Sequence, residues 1–287
     1  GSEMCIRDSQ YTILIIISVI SLVFIISAIT GVYKGIKILS NVNTWLALAL
    51  LFIAFCVGPK IAIFNNLTNS IGQHIQYFFS DVLMMNAFGD NEWVMNWRVF
   101  YFAWFIAWTP FVGMFVARIS KGRTIREFVM GVVVIPSVFT IIWLAVFSTI
   151  GLVTVQGWEV EQVRELVASP ETAVFVVFGE WPLDQLISIL IIVLLAIFFI
   201  TSADSATYSL SVMTSGGILT PPTYKKVCWG VVEAAIAYIL LSAGSLKPLQ
   251  TISIAATLPF LLVMIAMIIS LNKEINNDFK QNKHVSK

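Results

Sequence analysis

Two short stretches of this 287-residue chain hold side chains whose types and spacing could do chemistry. In "YFAWFIAWTPFVGMFVARISKGRTIREF", residues 101–128, Tyr101, Trp104, Trp108 and Phe111 recur at steps of three, four and three, which puts them on one face of a helix with Phe105 beside it. Aromatic faces attract a cation that has no N–H to donate, by about 2 kcal/mol per ring once water is excluded. No acidic residue lies along the stripe, which suits a quaternary ammonium group and suits a neutral apolar solute equally well. Ordinary packing, or a belt of rings at a membrane interface, is the bland alternative. Pro110 removes a backbone hydrogen bond in the turn of Ala107 and frees a carbonyl beside the rings.

The second stretch, "AIFFITSADSATYSLSVMTSGG", residues 196–217, turns from apolar to hydroxyl-rich. Serine and threonine hydroxyls in helices often bond the carbonyl one turn back, and that accounts for most of them. Thr201 and Ser202 near open carbonyls are also hard oxygen ligands, suited to a small alkali cation. Asp204 is harder to absorb into a structural role, and Glu233 is a weaker candidate of the same kind.

The elements that must position these groups follow from composition. A chain that is 58% hydrophobic and 11% charged, with a mean hydropathy of +0.89, lies outside the range of soluble globular proteins. It reads as an all-α integral membrane protein, because hydrocarbon offers the backbone no hydrogen-bond partners and each span must satisfy its own. Apolar stretches near the required length of about 20 residues occur at 11–31, 44–64, 97–117, 128–151, 185–213, 227–244 and 250–271, which predicts seven transmembrane helices. At such depth a carboxylate costs about 3 kcal/mol, so Asp204 marks an ion path or a buried partner.

Basic residues fall on alternate loops: Lys34, Lys37, Arg118, Lys121, Arg123, Arg126, Lys225, Lys226 and the tail lysines on one side, most acids on the other. Positive loops stay in the cytoplasm, so the first span should start outside and the C-terminus should lie inside a multi-pass cell-membrane protein. A net charge of +1 gives no reason to expect a nucleic-acid partner. An odd number of spans starting outside predicts a fragment, and the polar 1–9 reads as a non-native leader. Three cysteines, at 5, 56 and 228, form no disulfide framework or metal-ligand spacing. Between the second and third spans, Leu67, Ile71, Ile75, Phe78, Val82 and Met85 have helical spacing and predict an amphipathic helix lying against the bundle. Residues 152–184 read as an extracellular loop with one short helix.

"FVGMFVARISKGRTIREF", "FFITSADSA" and "GVYKGIKILSN" together resemble signatures of the betaine, choline and carnitine transporter (BCCT) family: the link between its eighth and ninth helices, its tenth helix, and the loop between its sixth and seventh. The resemblance covers roughly residues 30–272 in the expected order. It implies a partial inverted-repeat (leucine-transporter-like) symporter fold of which the chain holds helices six to twelve. Residues 10–86 would be the last two helices of the first repeat with the amphipathic helix, 87–272 the second repeat, and 273–287 a cytoplasmic tail.

By position the resemblance implies that Trp104, Phe105 and Trp108 face substrate. It implies that Phe111 serves one sodium site, while Phe198 (through its carbonyl), Thr201 and Ser202 serve another. Asp204, Phe115, Arg118 and Arg126 become candidates for an ion path or gate, with Arg123 in the same loop. The expected activity is sodium-coupled symport of glycine betaine, choline or a similar zwitterion or cation, in the lipid bilayer, with Na+ as the coupling ion and no cofactor or further metal. A homo-oligomer is compatible with it, and the alternatives are a sodium-independent exchanger or a non-transporting receptor on the same scaffold. Sodium-coupled members usually carry tryptophan where Phe102 and Phe105 stand, which leaves the substrate open. An intramembrane hydrolase using Ser205 or Ser202 with Asp204 is the rival from another class. It lacks a nearby base, since His74 and His284 are the only histidines.

Overall fold

In a computed structural model the backbone is described over residues 2–30, 35–85, 88–242 and 247–285. Side chains at 2–11, 13, 30, 35–37, 118, 241, 247–249 and 278–285 lie outside the described set. Among the described residues every regular element is helical: α1 (Ser2–Thr30), α2 (Gly35–Val57), α3 (Lys60–Leu83), α4 (Phe100–Ile119), α5 (Ile125–Val129), α6 (Ile135–Thr154), α7 (Val160–Ala168), α8 (Pro170–Gly179), α9 (Asp184–Met213), α10 (Thr223–Ser242) and α11 (Lys247–Val285). Wider π-helical turns, Val94–Val99 and Met130–Val134, lead into α4 and α6.

Five helical stretches among the described residues are long and apolar enough to cross a membrane: Ile38–Val57, Val94–Ala117, Ile125–Thr154, Asp184–Met213 and Gln250–Asn277. The expected first and sixth spans, 11–31 and 227–244, are helical where described and run into residues outside the described set, so they are not among the five. Within the described residues the apolar stretch of α1 is Leu14–Ile29, and α10 carries Lys225, Lys226 and Glu233. The expected second span, 44–64, is broken. α2 stops at Val57, and Pro59 starts a new helix because it has no N–H to continue the old one and disfavours helical backbone at Gly58. Lys60 then turns back to donate to the Cys56 carbonyl at 2.6 Å, satisfying one of the orphan acceptors at the end of α2.

The amphipathic segment is therefore the continuation of α3. Every residue from Thr68 to Met85 is exposed, including Ile75 and Phe78. The 152–184 loop holds two short helices, because Pro170 sits in the first turn of α8, where its missing N–H is no loss, and starts a helix there. The "GVYKGIKILSN" loop is helical from Gly35; Lys34 and the side chain of Lys37 fall outside the described residues.

The chain divides into two compact units, and one of the four boundaries between them falls within α9, between Ser202 and Ala203. One unit comprises 30–84 and 122–202. Its core joins Leu50 and Ala54 of α2, Ile63 of α3, Val146 and Ile150 of α6, Phe178 of α8 and Ile187 of α9. Polar groups at this depth are paired across helices: Asn66 donates to Thr149 Oγ1 at 2.8 Å, and the Trp181 indole to Thr154 Oγ1 at 2.6 Å. The second unit comprises 1–29, 85–121 and 203–287. In it α4 packs along α11, and Gly230 of α10 meets α1 so closely that a Cβ would lie 2.6 Å from Ile25 Cγ1.

Gly58 closes the α2–α3 corner, where a Cβ would stand 2.9 Å from the Ala54 carbonyl and 3.0 Å from the fully buried Ile150. Gly58→Val should therefore destabilise this unit by about 1–3 kcal/mol, as overpacking does. Thermal unfolding in detergent of Gly58→Val against the unsubstituted chain measures it, and equal midpoints would mean the corner is slack.

Candidate functional site

α4 carries the aromatic residues as a ladder. Trp97 stacks on Tyr101 with ring centroids 6.0 Å apart, Phe100 on Trp104 at 6.2 Å, and Trp104 meets Trp108 edge to face at 6.0 Å. The ladder arises because residues three and four apart on a helix are neighbours. Its outer surface is open: Trp104 is 39% and Trp108 45% exposed, while Phe105, on the flank, reaches 69%. On the other side Ala103 and Pro110 are buried. Pro110 does not stop the helix, and the Thr109 hydroxyl donates to the Phe105 carbonyl at 2.8 Å. Phe111 turns its ring onto Phe260 of α11, edge to face at 5.7 Å.

The hydroxyl-rich stretch forms the last half of α9. Thr201 Oγ1 lies 3.0 Å from both the Ile197 and the Phe198 carbonyls, so two of the groups singled out as cation ligands already touch each other. Ser202 is half-buried one residue on. Trp104, Phe105, Trp108 and Phe111 belong to one compact unit and Phe198, Thr201 and Ser202 to the other.

Asp204 is fully buried: Ser27 of α1 donates to Oδ2 at 2.6 Å, while Oδ1 has no hydrogen-bond partner among the described residues. One turn along α9, Thr207, also fully buried, donates to Glu233 Oε2 of α10 at 2.8 Å. Lys226 of α10 donates to the Ala28 carbonyl at the end of α1, at 2.9 Å. Asp204 thus belongs to a set of polar contacts that join α1, α9 and α10 pairwise. Neither Ser27 nor Thr207 was identifiable from the sequence as the partner of an acid. Thr207 stood in a stretch where backbone bonding explains most hydroxyls, and Ser27 is 177 positions from Asp204.

A cavity of about 410 Å³ opens between the ends of α4 and α9, walled by Met114, Phe115, Lys121, Tyr208, Ser209 and Val212 among others. Among the gating candidates whose side chains are described, Phe115 lines it. Arg126 is exposed on α5, and the side chain of Arg118 lies outside the described residues. The basic run also holds a motif that the sequence reading passed over. Thr124 and Glu127 form a capping box, with the Glu127 N–H donating to Thr124 Oγ1 at 3.3 Å and the Thr124 N–H to Glu127 Oε2 at 2.9 Å. It starts α5 directly after Gly122, whose φ of +85° makes the turn.

The sequence profile of the betaine/carnitine/choline family transporters (BCCT) matches residues 3–280. The chain belongs to the BCCT family. Among BCCT relatives it is 42% identical over 276 residues to the glycine betaine transporter OpuD of Bacillus subtilis, covering 96% of this chain and 53% of that protein. A probable glycine betaine transporter of Desulfitobacterium hafniense is 38% identical over 272 residues, 93% of this chain and 54% of its own length. An ectoine/hydroxyectoine transporter of Virgibacillus pantothenticus is 37% identical over 268 residues, 93% and 53% respectively. The chain spans about half the length of these relatives. BCCT members and these relatives are transporters and not enzymes, which removes the hydrolase reading of Ser202, Ser205 and Asp204. Family and apolar helices together make this a multi-pass membrane protein.

The Ser27 contact makes a direct stability test. Ser27→Ala would leave a buried carboxylate oxygen without its donor, at a cost of about 2 kcal/mol. Urea or thermal unfolding of the detergent-solubilised chain should show that loss, and it should not appear in Thr44→Ala, whose exposed hydroxyl bonds the Ser40 carbonyl on its own helix.

Proposed function

We propose that this chain supplies the aromatic substrate wall and a hydroxyl sodium site of a sodium-coupled symporter for a compact quaternary ammonium or related zwitterion, glycine betaine and choline being the leading candidates. The observation that carries the reading is the Trp104–Trp108 face. It is open, has no acid along it, and begins ten residues into the Val94–Ala117 span, about 15 Å along the helix and so near the middle of a core of about 30 Å. A deep ring face is too far inside to be an interfacial anchor. Its chemistry fits the substrates named for the B. subtilis and D. hafniense relatives.

In this reading Trp104, Phe105 and Trp108 bind the ammonium head, Phe111 serves one sodium ion, and the Phe198 carbonyl with Thr201 and Ser202 serves another. The Thr201 hydroxyl donates its proton to helix carbonyls and keeps oxygen lone pairs for a cation. Residues 10–86 and 87–272 then correspond to the end of one five-helix repeat and the whole of its inverted partner, with α1 and α10 counted as spans and seven in all. The substrate lies near mid-membrane, as inverted-repeat transporters place it, and the C-terminus lies in the cytoplasm. Asp204, tied to Ser27, and Phe115, on the cavity wall, are candidates for movement between states. The basic run Lys121–Arg126, which leads into α5, anchors the end of the substrate helix. One charge moving through about 100 mV supplies about 2.3 kcal/mol, close to a 50-fold solute gradient before the sodium gradient adds to it.

The test replaces the matching part of the B. subtilis relative with this chain and measures uptake of radiolabelled glycine betaine in proteoliposomes. Choline, carnitine and dimethylsulfoniopropionate serve as competitors, with and without an inward sodium gradient. Uptake should rise only with sodium. Sodium-indifferent exchange, or binding without uptake, would overturn symport in favour of an exchanger or a receptor.

Two substitutions resolve the sites. Trp108→Ala should raise the half-saturating betaine concentration about 30-fold, the equivalent of one desolvated ring contact, with the protein still present in the membrane. Thr201→Ala with Ser202→Ala should raise the sodium concentration for half-maximal uptake several-fold, and an unchanged sodium curve would remove both hydroxyls from the site.

A further inference from the structure

α11 touches the substrate helix at two points that go beyond general packing. Thr257 donates to the Ala103 carbonyl at 3.0 Å while also lying 2.8 Å from the Ser253 carbonyl of its own helix. Ala103 sits between Phe102 and Trp104 and is 4% exposed, so its small side chain lets α11 approach closely enough for a hydroxyl to reach the α4 backbone. One turn on, at the same face of α11, Phe260 meets Phe111 edge to face at 5.7 Å. A hydroxyl-to-carbonyl bond fixes both the rotation and the axial register of a helix, which hydrophobic contact alone leaves free to slide. The edge-to-face pair adds an orientation to a ring that would otherwise turn about its own bond.

We propose that Thr257 and Phe260 are positioning residues for α4: Thr257 holds the aromatic face at the angle at which Trp104 and Trp108 meet substrate, and Phe260 sets the ring of Phe111. The inference rests on the symporter reading for its functional consequence, and on the two contacts for its structural one. The two residues act on different parts of the helix. Thr257 is level with the substrate rings, and Phe260 with the ring assigned to sodium. Their effects therefore separate.

Three variants of the full chain test this in the transport chimaera: Thr257→Val, Thr257→Ser and Phe260→Ala. Thr257→Val keeps the shape and removes the donor. At saturating sodium it should raise the half-saturating betaine concentration by about five- to tenfold, the scale of one lost hydrogen bond, with the maximal rate and the sodium curve held. Thr257→Ser should restore it. Phe260→Ala should shift the sodium curve to higher concentration and leave the betaine value at saturating sodium in place. Variants that only lower the maximal rate or the amount of protein, or a serine that does not rescue, would reduce Thr257 to a packing residue and overturn the inference. If the unsubstituted chimaera shows no sodium-dependent uptake, the symporter reading fails and the functional part of the inference with it. The structural part has its own readout in near-ultraviolet circular dichroism of the chain alone, which reports the ring ladder. Thr257→Val should change that signal, and an unchanged spectrum would show that the bond does not orient α4.

Discussion

A polar group at membrane depth has no water to turn to, and the helices of this protein are arranged around that constraint. The hydroxyls of Thr109, Thr149, Thr201, Ser209 and Ser211 bond carbonyls of their own helix, which is the least demanding solution. The contacts that decide the packing are those that reach a second helix: Ser27 to Asp204, Thr207 to Glu233, Thr257 to Ala103 and Asn66 to Thr149. In hydrocarbon, apolar surface gives little preference for one helix over a lipid tail, so small residues and such bonds select which faces meet. Gly230 against Ile25 and Ala103 against α11 are the close approaches that go with them.

Much of this was legible in residue types, and the misses have physical reasons. The ring ladder of α4 follows from a three-and-four spacing that only a helix converts into neighbours, and the structure stacks the same rings that the spacing aligned. Asp204 was readable as a residue needing a partner, because burial of a carboxylate is costly in any fold. Which partner was not readable, since that depends on how α1 meets α9. The 44–64 span failed for a local reason. Hydropathy averaged over a window runs straight across Gly58–Pro59, whereas the missing N–H acts at one residue. The Thr124–Glu127 capping box lay within a stretch whose charges drew attention to topology, although its spacing states where α5 begins.

The amphipathic α3 shows the limit of periodicity as evidence. Its apolar stripe is real, and steps of three and four produce it, yet Ile71, Ile75, Phe78 and Val82 stay exposed. A hydrophobic period says that one face avoids water. It does not say whether lipid, a second helix of the chain or another protein covers that face.

The ring face also explains what a carboxylate would spoil. A primary ammonium group brought to Trp104 and Trp108 would lose water from three N–H donors and find no acceptor among the rings, a cost of a few kcal/mol that the cation–π attraction does not recover. A quaternary ammonium has no N–H to leave unsatisfied, so the same surface retains nearly all of its attraction. An acid on the stripe would reverse this preference by accepting from N–H groups. In the proposed reading, discrimination between methylated and unmethylated amines would rest on the absence of acids from α4 as much as on its rings. Phenylalanine at 102 and 105 weakens the attraction compared with tryptophan without changing its sign, since the smaller ring has the same negative face. The selectivity proposed for this protein thus depends on keeping donors and acceptors off one helix face, and the Ala103 carbonyl of the same helix is engaged by Thr257 of α11.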